Sequence, residues 1–343
     1  MKADPRLEKL DALIFDIDGV LIDVSRSYRE AVRQTVQLYL ERGLGLTAGS
    51  RPLLTADEVE MLKLAGGFNN DWDLTTAFIA YFLEMLPPVS TPTFSLRRDV
   101  PSMLAYLQTA AYHLKTTIDQ LREWKNIPRL ADQVEKAGGG LSGLKAALNP
   151  QNSHLLLARG TVKNGNLVQR IFQELYLGAN LFEQTYNEPA VVIQTTGHIE
   201  NERLIMDFVL LRNLSAKLKL GVATGRPRAE AEHALQSRNI RHHFQTVVSL
   251  DDVLEANAMS KPAPWSLLEA ANRLQPPPRF SAYVGDTPDD MRAARAANLI
   301  LPFIAIGCLP TASDKAAVRR ALEAHRADVI LDHPNDLGRL LLG

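Results

Sequence analysis

A single cysteine, Cys308, leaves the chain unable to form an intrachain disulfide, which fits a reducing compartment. Charge of neither sign predominates: 38 Lys and Arg face 39 Asp and Glu, for a formal net charge of −1. That balance carries no electrostatic footprint for nucleic acid, and no polybasic block offers itself to an anionic membrane. Apolar runs long enough to span a bilayer are also missing. The longest, around LILPFIAIGCL at 299–309, better suits a buried strand. The N-terminal stretch MKADPRLEKLDALIF has charges where a signal peptide needs apolar residues, so the expected location is the cytoplasm. His113, His154, His198, His242 and His243 form no metal-ligand spacing.

What is present is an ordinary globular composition, 46% hydrophobic over 343 residues, enough for two domains. Short apolar runs suited to buried parallel strands occur at 12–15, 218–223, 246–250, 282–284, 301–306 and 329–331. Helical patterns at 228–238, 264–274, 288–297 and 315–325 lie between the later runs. This alternation predicts an α/β fold, a doubly wound parallel sheet. The first run is separated from the second by a long stretch of helical texture, which predicts a mostly helical domain inserted after the first strand. The expected division is residues 1–23 with 216–343 for the sheet domain and 24–215 for the insertion. Within the insertion, helical patterns cover 25–43 and 166–186. Leu104, Leu107, Ala111, Leu114, Ile118 and Leu121 recur at spacings of three and four, like a short coiled-coil seam. Pro128 and Gly138–Gly139–Gly140 interrupt the pattern that follows. The seam reads either as one more packed helix or as a homodimer contact through the helical domain.

The stretch LIFDIDGVLID poses a physical problem, because Asp16 and Asp18 end an apolar strand. Buried acids so close together repel and lose hydration, at a cost of several kcal/mol unless compensated. Ligands of parallel sheets gather at the carboxyl ends of strands, and residues two apart face one side of an extended chain. Three later stretches end strands in the same way. LGVATGRP supplies Thr224 and Gly225 ahead of Pro227, an arrangement suited to an anion at a helix start. SKPAP supplies Lys261, and YVGDTPDDM supplies Asp286, Asp289 and Asp290. Alone, Thr224 reads as a helix cap, Lys261 as a surface lysine and Asp289 as a first-turn acid favouring the helix dipole. Together the four strand ends offer carboxylates, hydroxyl, lysine and carboxylates. A hard cation such as Mg²⁺ takes oxygen ligands, accompanies phosphate and would offset repulsion among Asp16, Asp18 and Asp286.

In order and in kind, FDIDGVL, VATGRP, SKPAP and GDTPDD resemble the four motifs of the haloacid dehalogenase superfamily, over roughly residues 8–23 and 216–333. The insertion after the first motif resembles the type 1 helical cap of subfamily I, in an enlarged form with extra chain at about 88–162. The resemblance implies Asp16 as a nucleophile forming an aspartyl-phosphate and Asp18 as general acid and then base. It implies that Ile17, the Asp18 backbone, Thr224, Gly225 and Lys261 hold the phosphoryl group. It further implies that Asp16, the Asp18 carbonyl, Asp286 and Asp290 ligate Mg²⁺. Dehalogenases of this scaffold lack the second aspartate, so Asp18 favours phosphate esters.

In the insertion, KLAGGFNNDWDL at 63–74 is polar and aromatic for a helix connection and resembles a small branch of the family carrying GGFNNDW. Asn69, Asn70, Asp71 and Trp72 are candidate substrate contacts, with helix-capping Asn and Asp in a surface turn as the other reading. Arg26 reads either as a second anion contact or as a hinge ion pair. The expected function is a Mg²⁺-dependent phosphatase acting on a small phosphorylated metabolite. The alternatives are a phosphomutase on a sugar phosphate, or a non-enzymatic member whose insertion binds a partner.

Overall fold

The computed structural model describes residues 5–68, 70–149, 151–312 and 314–342. The chain forms two compact units, one running up to Val24 and resuming at Glu202, the other spanning Ser25–Asn201.

The first unit is built on a six-stranded sheet. Its strands are β1 (Ala12–Phe15), β2 (Lys219–Ala223), β3 (Thr246–Val248), β4 (Ser281–Gly285), β5 (Phe303–Cys308) and β6 (Val329–Leu331). They lie in the order β6–β5–β4–β1–β2–β3, and every pairing is parallel. Strands β1, β4, β5 and β6 are buried at every position, as expected where helices cover both faces of a parallel sheet. Their near-continuous aliphatic sequence follows from that. The chain builds outward from β1 to β2 and β3, then returns to β1's other side for β4, β5 and β6. The order therefore reverses beside β1, the place where parallel sheets open a crevice at their carboxyl ends.

The sheet unit also takes in residues 202–215, which the sequence pattern assigns to the insertion. Helix Phe208–Lys217 runs directly into β2, with Leu211 and Leu214 fully buried. Its periodicity announces a helix but carries no mark of the unit it packs against.

In the second unit, helix Tyr28–Leu38 packs on helix Leu167–Tyr186, with Tyr28 stacked on Tyr176 at 4.2 Å. The seam expected between Leu104 and Leu121 is not one helix. Helix Val100–Ala111 stops, and a second helix begins at Ile118. Thr117 starts the second helix through a capping box with Gln120, and Ile118 N–H donates to the Thr47 carbonyl. Leu107, Ile118 and Leu121 are buried in this unit's own interior. Pro128 opens helix Ile127–Lys136, where its missing N–H costs nothing. The Gly138–Gly140 run has a partner of its own. Gly140 N–H donates to the Gly66 carbonyl at 2.9 Å, and a Cβ on Gly67 would come within 2.6 Å of Gly140 N. Two glycine runs thus meet backbone to backbone, at a separation no side chain permits.

A buried charge knot fastens the long helix to the chain that follows it. Glu174 is fully buried, and its Oε2 accepts the successive N–H groups of Val191, Val192 and Ile193 at 3.0, 2.6 and 2.9 Å. Its Oε1 accepts from Arg170 Nε at 2.5 Å. Arg170 also donates to Glu188 and the Pro189 carbonyl, and lies 4.5 Å over the Phe182 ring. Removing one member of such a set leaves buried charge and backbone donors uncompensated. Glu174→Ala is expected to destabilise the protein by about 3–5 kcal/mol, and Glu174→Gln by less. Urea unfolding followed by circular dichroism measures this, and a loss under about 1 kcal/mol would contradict it.

Candidate active site

Strand register brings the four strand-end motifs together. Phe15 pairs with Val222 on one side and Val284 on the other, so Asp16 emerges between Ala223–Thr224 and Gly285–Asp286. Its N–H donates to the Val284 carbonyl at 2.9 Å, and it is almost wholly buried.

Lys261 reaches this strand end from the loop before helix Trp265–Arg273. Its Nζ donates to Asp16 Oδ2 at 2.6 Å, Asp290 Oδ1 at 2.7 Å and the Tyr283 hydroxyl at 2.9 Å. The Tyr283 hydroxyl donates in turn to the Ala223 carbonyl at 2.9 Å. Asp290 is held from its other oxygen as well. Oδ2 accepts from Thr287 Oγ1 and from the N–H groups of Thr287 and Asp286, while Thr287 caps helix Pro288–Ala297. Asp289 lies in the same first turn and pairs with Arg292.

The electrostatics follow from one ammonium serving two buried carboxylates. Burial pushes the Asp16 pKa up to about 6, against the pull of Lys261 and with Asp290 and Asp18 adding to the rise. Burial would raise Asp290 too, but Lys261 and the hydrogen bonds from Lys261 and Thr287 hold it below the ordinary carboxylate range. Burial disfavours the Lys261 ammonium, yet Asp16 and Asp290 keep its pKa well above the usual value. Negative charge remains in excess, because Asp286 joins Asp16 and Asp290 with oxygens all within 4.8 Å of one another. An all-carboxylate donor set with surplus negative charge fits a hard divalent cation. Gly19, at φ +69°, keeps the space beside this set open, since a Cβ there would lie 2.0 Å from Asp286 Oδ2.

Asp18 follows in the turn after Asp16, and its carboxylate faces a different partner. Arg226 donates to Asp18 Oδ1 from Nε at 2.8 Å and Nη2 at 2.6 Å, and also to Glu202 at 2.9 and 3.2 Å. Thr224 does not cap a helix: Pro227 holds the cap position, and Thr224 Oγ1 accepts from Arg226 N–H at 3.3 Å. Gly225 is half-buried between them. The N–H of Ile17 donates to Asp16 Oδ1 at 2.7 Å.

The candidates in the helical unit stand differently. Asn70 caps helix Asp71–Met85, accepting from Asp73 N–H at 2.8 Å. Asp71 pairs with Lys63 at 3.2 Å, and Trp72 is half-buried in the first turn. Arg26 is exposed, and Asn69 lies outside the described residues. Four residues that matter here were not singled out from the sequence: Arg226, Glu202, Tyr283 and Thr287. Arg226 lies inside VATGRP, and Tyr283 is one of two hydroxyl-bearing residues, with Ser281, in the strand SAYVG. Glu202 sits in a polar stretch with no pattern to mark it.

Residues 193–304 match the family model of the haloacid dehalogenase-like hydrolases, with the first-motif aspartates joined to that segment at the sheet's centre. Over that segment the chain is similar to this superfamily. A solved structure from a structural genomics consortium shares the fold of this chain, with a TM-score of 0.65 and 22% identity over 97% of this chain and 98% of that one. An imidazoleglycerol-phosphate dehydratase of Phytophthora nicotianae is 25% identical over 97% of this chain and 52% of its own length. A phosphoglycolate phosphatase of Escherichia coli strain K12 is 32% identical over 36% of this chain and 45% of its own length. The chain thus spans about half the length of these relatives or less. No described helix is long and apolar enough to cross a membrane.

Tyr283→Phe removes the hydroxyl joining Lys261 to the Ala223 carbonyl while keeping the ring. It is expected to cost about 1–3 kcal/mol in urea unfolding, because a buried carbonyl and an ammonium each lose a partner. An unchanged midpoint would show that the hydroxyl does not brace the lysine.

Proposed function

We propose that the protein is a Mg²⁺-dependent phosphatase that hydrolyses a small phosphate monoester through an aspartyl-phosphate on Asp16. One observation carries the reading. A buried carboxylate at the sheet's switch point is oriented by a lysine and flanked by two further carboxylates, with a second aspartate immediately beyond in the turn. An apolar strand end has no structural use for that much negative charge.

In the first half-reaction an Asp16 carboxylate oxygen bonds to phosphorus as the ester P–O bond breaks, and Asp18 gives its proton to the departing oxygen. In the second, Asp18 takes a proton from water as the water oxygen bonds to phosphorus. The bond between Asp16 and phosphorus then breaks, releasing phosphate and restoring both aspartates. Lys261 orients Asp16 and, with Thr224 and the backbone around Ile17 and Gly225, accommodates the phosphoryl oxygens. The residues suited to Mg²⁺ are Asp16, Asp286, Asp290 and the Asp18 carbonyl. Bound there, the ion would offset the surplus carboxylate charge and that of the phosphoryl group. Two relatives named for phosphoglycolate and imidazoleglycerol phosphate, each a phosphorylated small alcohol, support a substrate of that class.

Hydrolysis of p-nitrophenyl phosphate tests the reading. Release of p-nitrophenol is expected with Mg²⁺, to stop with EDTA and to return when Mg²⁺ is restored. Asp16→Asn is expected to lose about a thousand-fold or more in kcat, the scale seen when a nucleophile is removed. Undiminished turnover by folded Asp16→Asn would overturn the assignment.

A further inference from the structure

The buried Arg226–Glu202 pair has no part in the chemistry above, yet it terminates on Asp18. Arg226 is 1% exposed, and the side chains of Glu202 and Asp18 are 2% and 21% exposed. A buried ion pair of this kind is weak evidence for stability, because desolvation consumes most of the attraction. Its geometry indicates a different use. Both donors of Arg226 that reach Asp18 land on Oδ1, at 2.8 and 2.6 Å. The carboxylate is thereby anchored through Oδ1.

The rest of the pair is anchored to the sheet's carboxyl edge. Arg226 N–H bonds to Thr224 Oγ1, and the Arg226 carbonyl accepts from Leu250 N–H at 2.9 Å. The Glu202 carboxylate takes two further guanidinium bonds at 2.9 and 3.2 Å, and its backbone carbonyl accepts from Arg238 at 2.5 Å. Glu202 also balances the guanidinium charge. Arg226 can therefore orient Asp18 without adding net positive charge beside it.

We propose that Arg226, braced and neutralised by Glu202, is a positioning residue that aims Asp18 for proton transfer to the leaving oxygen and from the attacking water. This inference rests on the phosphatase reading of the site. It implies a selective defect. An ester whose leaving group departs readily as an anion needs little proton donation, whereas one with a more basic leaving group depends on it.

The experiment compares kcat/KM for p-nitrophenyl phosphate and phenyl phosphate, esters of similar shape with leaving phenols of different acidity. The full-length protein is assayed with Mg²⁺ as wild type, Arg226→Lys, Glu202→Gln and the double variant Arg226→Met/Glu202→Met. The double variant leaves no unpaired charge in the buried pair, so it is the one expected to retain the fold, checked by circular dichroism. Phenyl phosphate cleavage is expected to fall about 100-fold in the double variant, the usual scale for a mispositioned proton donor. Cleavage of p-nitrophenyl phosphate is expected to fall at least about tenfold less. A p-nitrophenolate burst should also appear, since water activation still depends on Asp18 after that ester has broken. Glu202→Gln and Arg226→Lys are expected to show the same selectivity to a smaller degree. Equal falls for both esters in the folded variants would overturn the positioning role and leave the phosphatase reading intact. Wild type that cleaves neither ester would defeat both.

Discussion

One ammonium group shared between two buried carboxylates is the constraint on which the site depends. Lys261 holds Asp16 and Asp290 at 2.6 and 2.7 Å, and with all three groups ionised the set carries a net negative charge. The surplus falls on Asp16, whose burial would otherwise be a defect in a strand made for aliphatic packing. Tyr283 and Thr287 supply the hydrogen bonds that keep the lysine and the second carboxylate from relaxing apart. Asp286 then adds a third carboxylate to the same small space. Such an arrangement persists only where the charge has a use, and the use proposed for it is to hold a cation and a phosphoryl group.

The sheet makes this concentration of charge feasible. In a parallel sheet every strand delivers its carboxyl end to the same edge, so residues far apart in sequence arrive together without long side chains spanning the gap. Asp16 directly follows the first strand, and β1 pairs with strands that begin at Lys219 and Ser281. The inserted unit between them interrupts the sequence but not the register. Its own stability draws on different devices, a buried Arg170–Glu174 knot and two glycine runs in backbone contact.

Much of this was legible in the sequence, for a physical reason. Strands buried on both faces must be apolar throughout, so an aspartate at the end of ALIF stands out, and so do the hydroxyl, lysine and carboxylates that end or follow the later strands. The apparent seam at Leu104–Leu121 misleads because three- and four-residue spacing continues across a segment that is not helical. Thr117 with Gln120 carried the signal of the break. The reach of the sheet unit back to Glu202 is invisible because an amphipathic helix does not state what it packs against. The Arg226–Glu202 pair is invisible for a related reason: its meaning lies in Asp18, some two hundred residues earlier in the chain. Asn70 illustrates the opposite limit, since the residue type that contacts substrates also caps helices, and it caps one here.

The nucleophilic role proposed for Asp16 is tested most directly by trapping the covalent intermediate. Protein turning over p-nitrophenyl phosphate with Mg²⁺ would be quenched in acid, treated with borohydride to reduce any acyl phosphate, and digested for mass spectrometry. A nucleophilic Asp16 predicts conversion of residue 16 to homoserine, dependent on substrate and confined to that position. Turnover without modification at residue 16, or with homoserine at another aspartate, would contradict it.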